Sequence, residues 1–243
     1  MRNLILKYLV YFMNPVRWLR ALRRPADALR IISKVLTCPR LFMIAQNVEG
    51  LISVACGLAL YDSVLKTDSV SLNIIEVGAF KGKSTCYLSL AAEETGKQVK
   101  SFELFTGLPE ADSSLDPSFQ AGQFAGSVSE YEHNVKTFGC RSKVDLIIGD
   151  ARNTLLPAIG DKGFAVAFLD ADVYVVMKEI VRQLLTKAEG GEIIIVHDIN
   201  SPGVKKAIGE FRQVLFEQFI SGFGVNEFAV FDVIYKDTVE KII

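Results

Sequence analysis

From residue 72 onward, apolar runs alternate with segments whose apolar residues recur at helical spacing. LNIIEVG (72–78), VKSFE (99–103), VDLIIGD (144–150), FAVAFLD (164–170) and EIIIVHD (192–198) read as strands. Several are near-continuously apolar, as central parallel strands buried on both faces must be. Helices are expected at about 84–94, with Gly96 as C-cap, and at about 129–138, 173–187 and 203–219. A long polar loop separates the second strand from the next helix. The apolar material at 225–235 suits one long strand or a short antiparallel pair. Strands alternating with helices predict an α/β protein, a doubly wound, mostly parallel Rossmann-like sheet.

The N-terminal part reads differently. Short helices are expected at 2–13 and 16–24, split at Pro15, then at about 25–36 and 45–65. Residues 1–48 carry nine Lys/Arg against one acid, a charge of +8, whereas the remainder is −9. The chain therefore divides into a basic amphipathic helical extension (1–48) and a catalytic domain (49–243). Arg17, Arg20, Arg23 and Arg24 among Leu, Ile, Phe and Trp18 suit a helix lying on an anionic membrane surface, with a homo-oligomer interface or a cap over the active site as the competing reading.

Composition then narrows the classes. With 243 residues, half of them apolar, the chain can bury a sizeable core, and no window offers the 18 or so uninterrupted apolar residues a membrane span needs. Lys7 and Pro15 interrupt a signal-peptide pattern. Cys38, Cys56, Cys86 and Cys140 are scattered with no C-x-x-C pair, which points to a reduced, cytoplasmic interior. The acidic catalytic part lacks the basic stripe of a nucleic-acid binder.

In a doubly wound fold, ligands bind beyond the carboxyl ends of the strands. Each strand end here carries an acid: Glu76, Glu103, Asp150, Asp170 and the pair His197-Asp198. After the first strand, Gly78 and Gly82 let the backbone turn toward a ligand at the next helix's N-terminus. The spacing G-x-x-x-G lacks the middle glycine of a dinucleotide fingerprint, and no glycine sits five residues before Gly82, so Gly82-Lys83-Ser84 does not close a P-loop.

The segment E-V-G-A-F-K-G-K-S (76–84) resembles the first motif of class I S-adenosylmethionine-dependent methyltransferases, especially the catechol-type O-methyltransferases. FELFTGLPE (102–110), FAGSVSEYEHNV (124–135), FLDADVY (168–174) and IIIVHDINSPGVKKAI (193–208) resemble the macrocin O-methyltransferase family, so the likeness covers about 49–236. It implies an O-methyltransferase acting on a hydroxylated small molecule such as a sugar or sugar-containing metabolite. It also implies S-adenosylmethionine as cofactor. Glu103 would accept the ribose hydroxyls, Asp150 and Ala151 would meet the adenine edge, Glu76 would support the methionine amino group and Ser84 its carboxylate.

Methyl transfer to oxygen needs in-line approach and a polarised hydroxyl, which a divalent cation supplies. The resemblance places such a cation, usually magnesium, on Asp170, His197 and Asp198. Asp170 and His197 are the catalytic candidates. His197 stands where relatives have Asp, and three roles are open to it: ligand to a softer ion, general base, or strand-end hydrogen-bonding group. The loop from Thr106 to Gly126 is long enough for a substrate lid. An N-methyltransferase, which needs no metal, and a non-catalytic S-adenosylmethionine-binding module tethered by the basic N-terminus are the alternatives.

Overall fold

The structure, a computed structural model, describes residue 33 and residues 37–67, 73–218 and 228–233. The helices expected over 2–13, 16–24 and most of 25–36 lie outside the described residues.

Among the described residues seven strands form one sheet: β1 (Asn73–Val77), β2 (Gln98–Glu103), β3 (Val144–Ile148), β4 (Val166–Leu169), β5 (Ile193–His197), β6 (Leu215–Gln218) and β7 (Phe228–Val233), in the order β3-β2-β1-β4-β5-β7-β6. β1 to β5 run parallel, and β7 pairs antiparallel with both β5 and β6. The order reverses between β1 and β4, so their carboxyl ends open a crevice at the switch point.

Among the described residues seven α-helices cover the sheet: α1 (Pro39–Asn47), α2 (Val54–Lys66), α3 (Lys83–Thr95), α4 (Val128–Phe138), α5 (Ala151–Ile159), α6 (Tyr174–Leu185) and α7 (Pro202–Gly209). Strand side chains alternate between two cores. Ile74, Phe168 and Ile195 pack with α1 to α4, while Ile75, Val77, Ala167 and Ile194 pack with α5 to α7. β1 and β4 are buried at every residue, because helices lie on both of their faces. Leu41 and Ile44 of α1 belong to the first core, so residues 39–47 pack as part of the α/β body although the charge division assigned them to the extension.

Two expectations are corrected, and one helix is added. The helix expected over 45–65 is two helices, because Ser53 caps α2 by accepting a hydrogen bond from the Cys56 N–H at 3.1 Å, and residues 48–53 form a loop between them. The helix expected over 203–219 ends at Gly209, and residues 215–218 instead form β6, which gives β7 an antiparallel partner. α5 is a helix the apolar pattern does not predict, since Pro157 falls in its last turn.

Candidate active site

β1 ends at Val77, and Gly78 bends the chain away with φ +87°. A Cβ on Gly78 would sit 2.0 Å from the Asp170 carbonyl oxygen, so only glycine lets this turn press against the end of β4. Gly82 (φ +82°) starts α3, and a Cβ there would meet the Tyr131 ring and Val135 at 3.0 Å. It serves helix packing and does not line the cleft.

The cleft opens at the carboxyl ends of β1, β2, β4 and β5. Of the cofactor residues expected from sequence, Gly78, Ser84, Glu103, Asp150 and Ala151 line it, as do Asp170, His197 and Asp198. Gly82 and Glu76 do not.

Glu76 is fully buried inside β1, where its Oε2 accepts hydrogen bonds from Thr85 Oγ1 at 2.6 Å and Ser101 Oγ at 2.7 Å. Burial pushes its pKa up to about 7, against which these hydroxyls work. Its Oε1 has no hydrogen-bond partner. Glu76 thus supports the β1–α3 turn from beneath instead of forming the cleft wall.

Glu103 ends β2 and is 9% exposed. Its two oxygens accept from the backbone N–H groups of Phe80 (2.5 Å) and Phe105 (2.9 Å), which fixes the carboxylate's orientation. Each oxygen keeps a further acceptor site for ligand hydroxyls. Asp150 caps α5 through the Arg152 N–H at 2.9 Å and is gripped by the Arg152 guanidinium, which holds its carboxyl below the usual range.

At the ends of β4 and β5 four titratable groups converge. His197 Nδ1 lies 2.9 Å from Asp170 Oδ1 and 3.5 Å from Asp198 Oδ2, and one ligand atom from each of the three residues falls within 4.8 Å of the others. These approaches lack hydrogen-bond direction: both ring nitrogens of His197 are buried without a hydrogen-bond partner. Burial alone would lower the imidazole's pKa, but the two carboxylates outweigh it and push it up to about 11.

Asp172 stands on the same wall, a residue the sequence reading left without a role. Its φ of +59°, like the +48° of Asp198, is strained for a non-glycine residue, and such strain gathers at functional sites. Burial, then the charges of Asp170 and Asp198, push its pKa up to about 9. The D-A-D spacing of 170–172 after an apolar strand was the available signal.

The loop 104–127 closes one side of the cleft through Leu108, Pro109 and Phe124. It is held by paired backbone bonds, Leu108 N–H to Gln123 C=O at 2.7 Å and Gly122 N–H to Leu108 C=O at 2.8 Å. Asp116, 1% exposed, ties its outer end to the N-terminus of α6 by accepting from the Tyr174 N–H. The opposite side is formed by the α1–α2 loop, residues 49–52, together with Lys83.

Solved structures share this fold. They include the O-methyltransferase NovP (19% identity, TM-score 0.63, covering 77% of this chain and 83% of that one) and the calicheamicin methyltransferase CalS11 (18%, 0.59, 72% and 76%). Another is the O-methyltransferase TomG from Streptomyces achromogenes in complex with S-adenosylmethionine (17%, 0.54, 80% and 89%). No curated protein matches the chain. Among the described residues no helix is long and apolar enough to cross a membrane. A family model described as a methyltransferase domain matches residues 75–199, from within β1 to just past Asp198 and so over the whole acidic rim, and the chain belongs to that methyltransferase family.

Proposed function

We propose that the chain is an S-adenosylmethionine-dependent O-methyltransferase that methylates a hydroxyl of a small molecule with help from a divalent cation. The observation that carries this reading is that a single cleft joins the backbone-oriented Glu103 to the Asp170, His197 and Asp198 trio. Similar structures include one described as a TDP-rhamnose 3′-O-methyltransferase, which supports a sugar-bearing acceptor.

Glu103 fits the vicinal hydroxyls of a ribose, since two backbone N–H groups already aim its oxygens. When bound, S-adenosylmethionine supplies an electrophilic methyl group. The trio fits a cation, because its donors are two carboxylates and an imidazole nitrogen that lie within 4.8 Å of one another. Oxygen donors suit magnesium, and the nitrogen adds affinity for manganese or other first-row ions. Held there, a cation supplies the Lewis acidity that lowers a hydroxyl's pKa.

The chain's own part is to position and to accept a proton. The turn at Gly78 brings the cofactor end of the cleft against Asp170. Asp172, outside the trio but on the same wall, is placed to take the acceptor's proton once ionised; burial and the charges of Asp170 and Asp198 keep it protonated, and a cation held by those two carboxylates would offset that second cause. Loop 104–127 excludes water from that side.

Transfer of labelled methyl from S-adenosylmethionine to a panel of nucleotide sugars, phenols and amines, with and without chelation, tests the proposal. Labelling of a hydroxyl acceptor that chelation abolishes is expected. Labelling confined to amines and indifferent to chelation would favour N-methylation and overturn it.

A further inference from the structure

Two lysines flank Gly82, and their surroundings differ. Lys81 Nζ is paired with Glu49 at 2.7 Å and Glu130 at 3.2 Å. Lys83, at the start of α3, lines the cleft, and its Nζ donates to the Gly50 carbonyl at 3.2 Å. No carboxylate among the described residues pairs with it, and burial lowers its pKa. A half-buried ammonium with only a carbonyl for company is under-compensated.

The α1–α2 loop makes room for this arrangement. A Cβ on Gly50 would lie 2.9 Å from both Cβ and Cδ of Lys83, so the bare glycine lets the lysine stem lie against the loop. Ser84, the next residue, is 4% exposed and also lines the cleft. With Glu103 and Asp150 proposed for the adenosine and the acidic trio for the methyl, residues 49–52 and 83–84 form a further stretch of the lining, and its lysine and serine suit the cofactor's amino-acid tail.

We infer that Lys83 is a cofactor-binding residue that pairs with the α-carboxylate of S-adenosylmethionine, an assignment that rests on the cofactor reading above. An anionic group on the acceptor is the other source of the same chemistry. The pairing gives the lysine its missing counter-charge and orients the tail so that the sulfonium stays beside the trio.

Calorimetric titration of wild type and Lys83→Met with S-adenosylhomocysteine and with its decarboxylated analogue tests the inference. Met retains the stem packed on Gly50 and removes only the charge. The variant should bind S-adenosylhomocysteine about tenfold or more weakly, as loss of a charged hydrogen bond predicts, and should bind the decarboxylated analogue as wild type does. Equal losses for both ligands would mean a packing defect and overturn the inference. Unchanged S-adenosylhomocysteine affinity would overturn it alone, and a raised acceptor KM in that case would assign the lysine to an anionic acceptor. Failure of the wild type to bind either ligand would instead remove the cofactor reading, and this inference with it.

Discussion

Glu76 illustrates how a residue's type can be legible while its role is not. The acid near the end of the first strand stands out in the sequence, and the resemblance gives it a ligand contact. The structure places it one layer deeper, bonded to Thr85 and Ser101 and away from the cleft wall. The alternation of a strand decides this: Val77 is the residue that lines the cleft, and a one-residue step reverses the face.

Its titration yields a stability prediction. The carboxyl's ordinary pKa is 4.5 and burial raises it to about 7 in the fold. Between these values the folded chain holds a proton the unfolded chain has released, so stability falls as pH rises from about 4.5 to about 7 and stays low above it. The loss is on the order of 3 kcal/mol for a fully buried group. Glu76→Gln cannot ionise, so urea unfolding at pH 5 and pH 8 should show a smaller loss in the variant than in wild type. Equal losses would show that Glu76 is ionised in the fold.

Among the elements, the strands that carry the rim were the most legible, because a run buried on both faces is apolar at nearly every position. Helix boundaries were less so. Val204, Ala207, Ile208, Phe211 and Leu215 keep helical spacing past Gly209, yet the chain turns there and Leu215–Gln218 pairs with β7. Apolar spacing in so short a segment cannot tell an edge strand from a helix; the partner strand decides. The break at residues 48–53 has local signals in Gly50 and Ser53, and it places the α1–α2 loop on the cleft.

Loop 104–127 is anchored as well as long. Asp116 is its buried tie to α6, and replacing it with Ala leaves the Tyr174 N–H without its carboxylate, at a cost of about 1–3 kcal/mol. Limited proteolysis of Asp116→Ala should cut within residues 107–126 faster than in wild type. Cleavage at the wild-type rate would mean that the paired backbone bonds between Leu108 and Gln123 hold the loop alone.

In the whole molecule, the order β3-β2-β1-β4-β5 brings into one crevice acids that are 95 positions apart in the sequence, Glu103 and Asp198. The sequence supplied the acids at the strand ends; which of them share a wall depends on strand order, and the pairing of β4 with β5 sets Asp170 and Asp172 beside Asp198. The basic segment 1–36, of which the structure describes residue 33 alone, is proposed to contact an anionic membrane surface. Each basic residue there would contribute about 1 kcal/mol and be screened by salt. Co-sedimentation with anionic vesicles at low salt that disappears at high salt is the expected result, and no binding at low salt would contradict it.

The proposed function places a cation beside the transferable methyl group in one cleft. Nuclear relaxation of S-adenosylmethionine labelled with carbon-13 at its methyl, bound to the protein with manganese in place of magnesium, reads that proximity directly. The methyl resonance should be strongly broadened by manganese in wild type and recover in Asp170→Asn. A methyl resonance as sharp with manganese as with magnesium, while the cofactor is bound, would place the cation elsewhere and contradict the account.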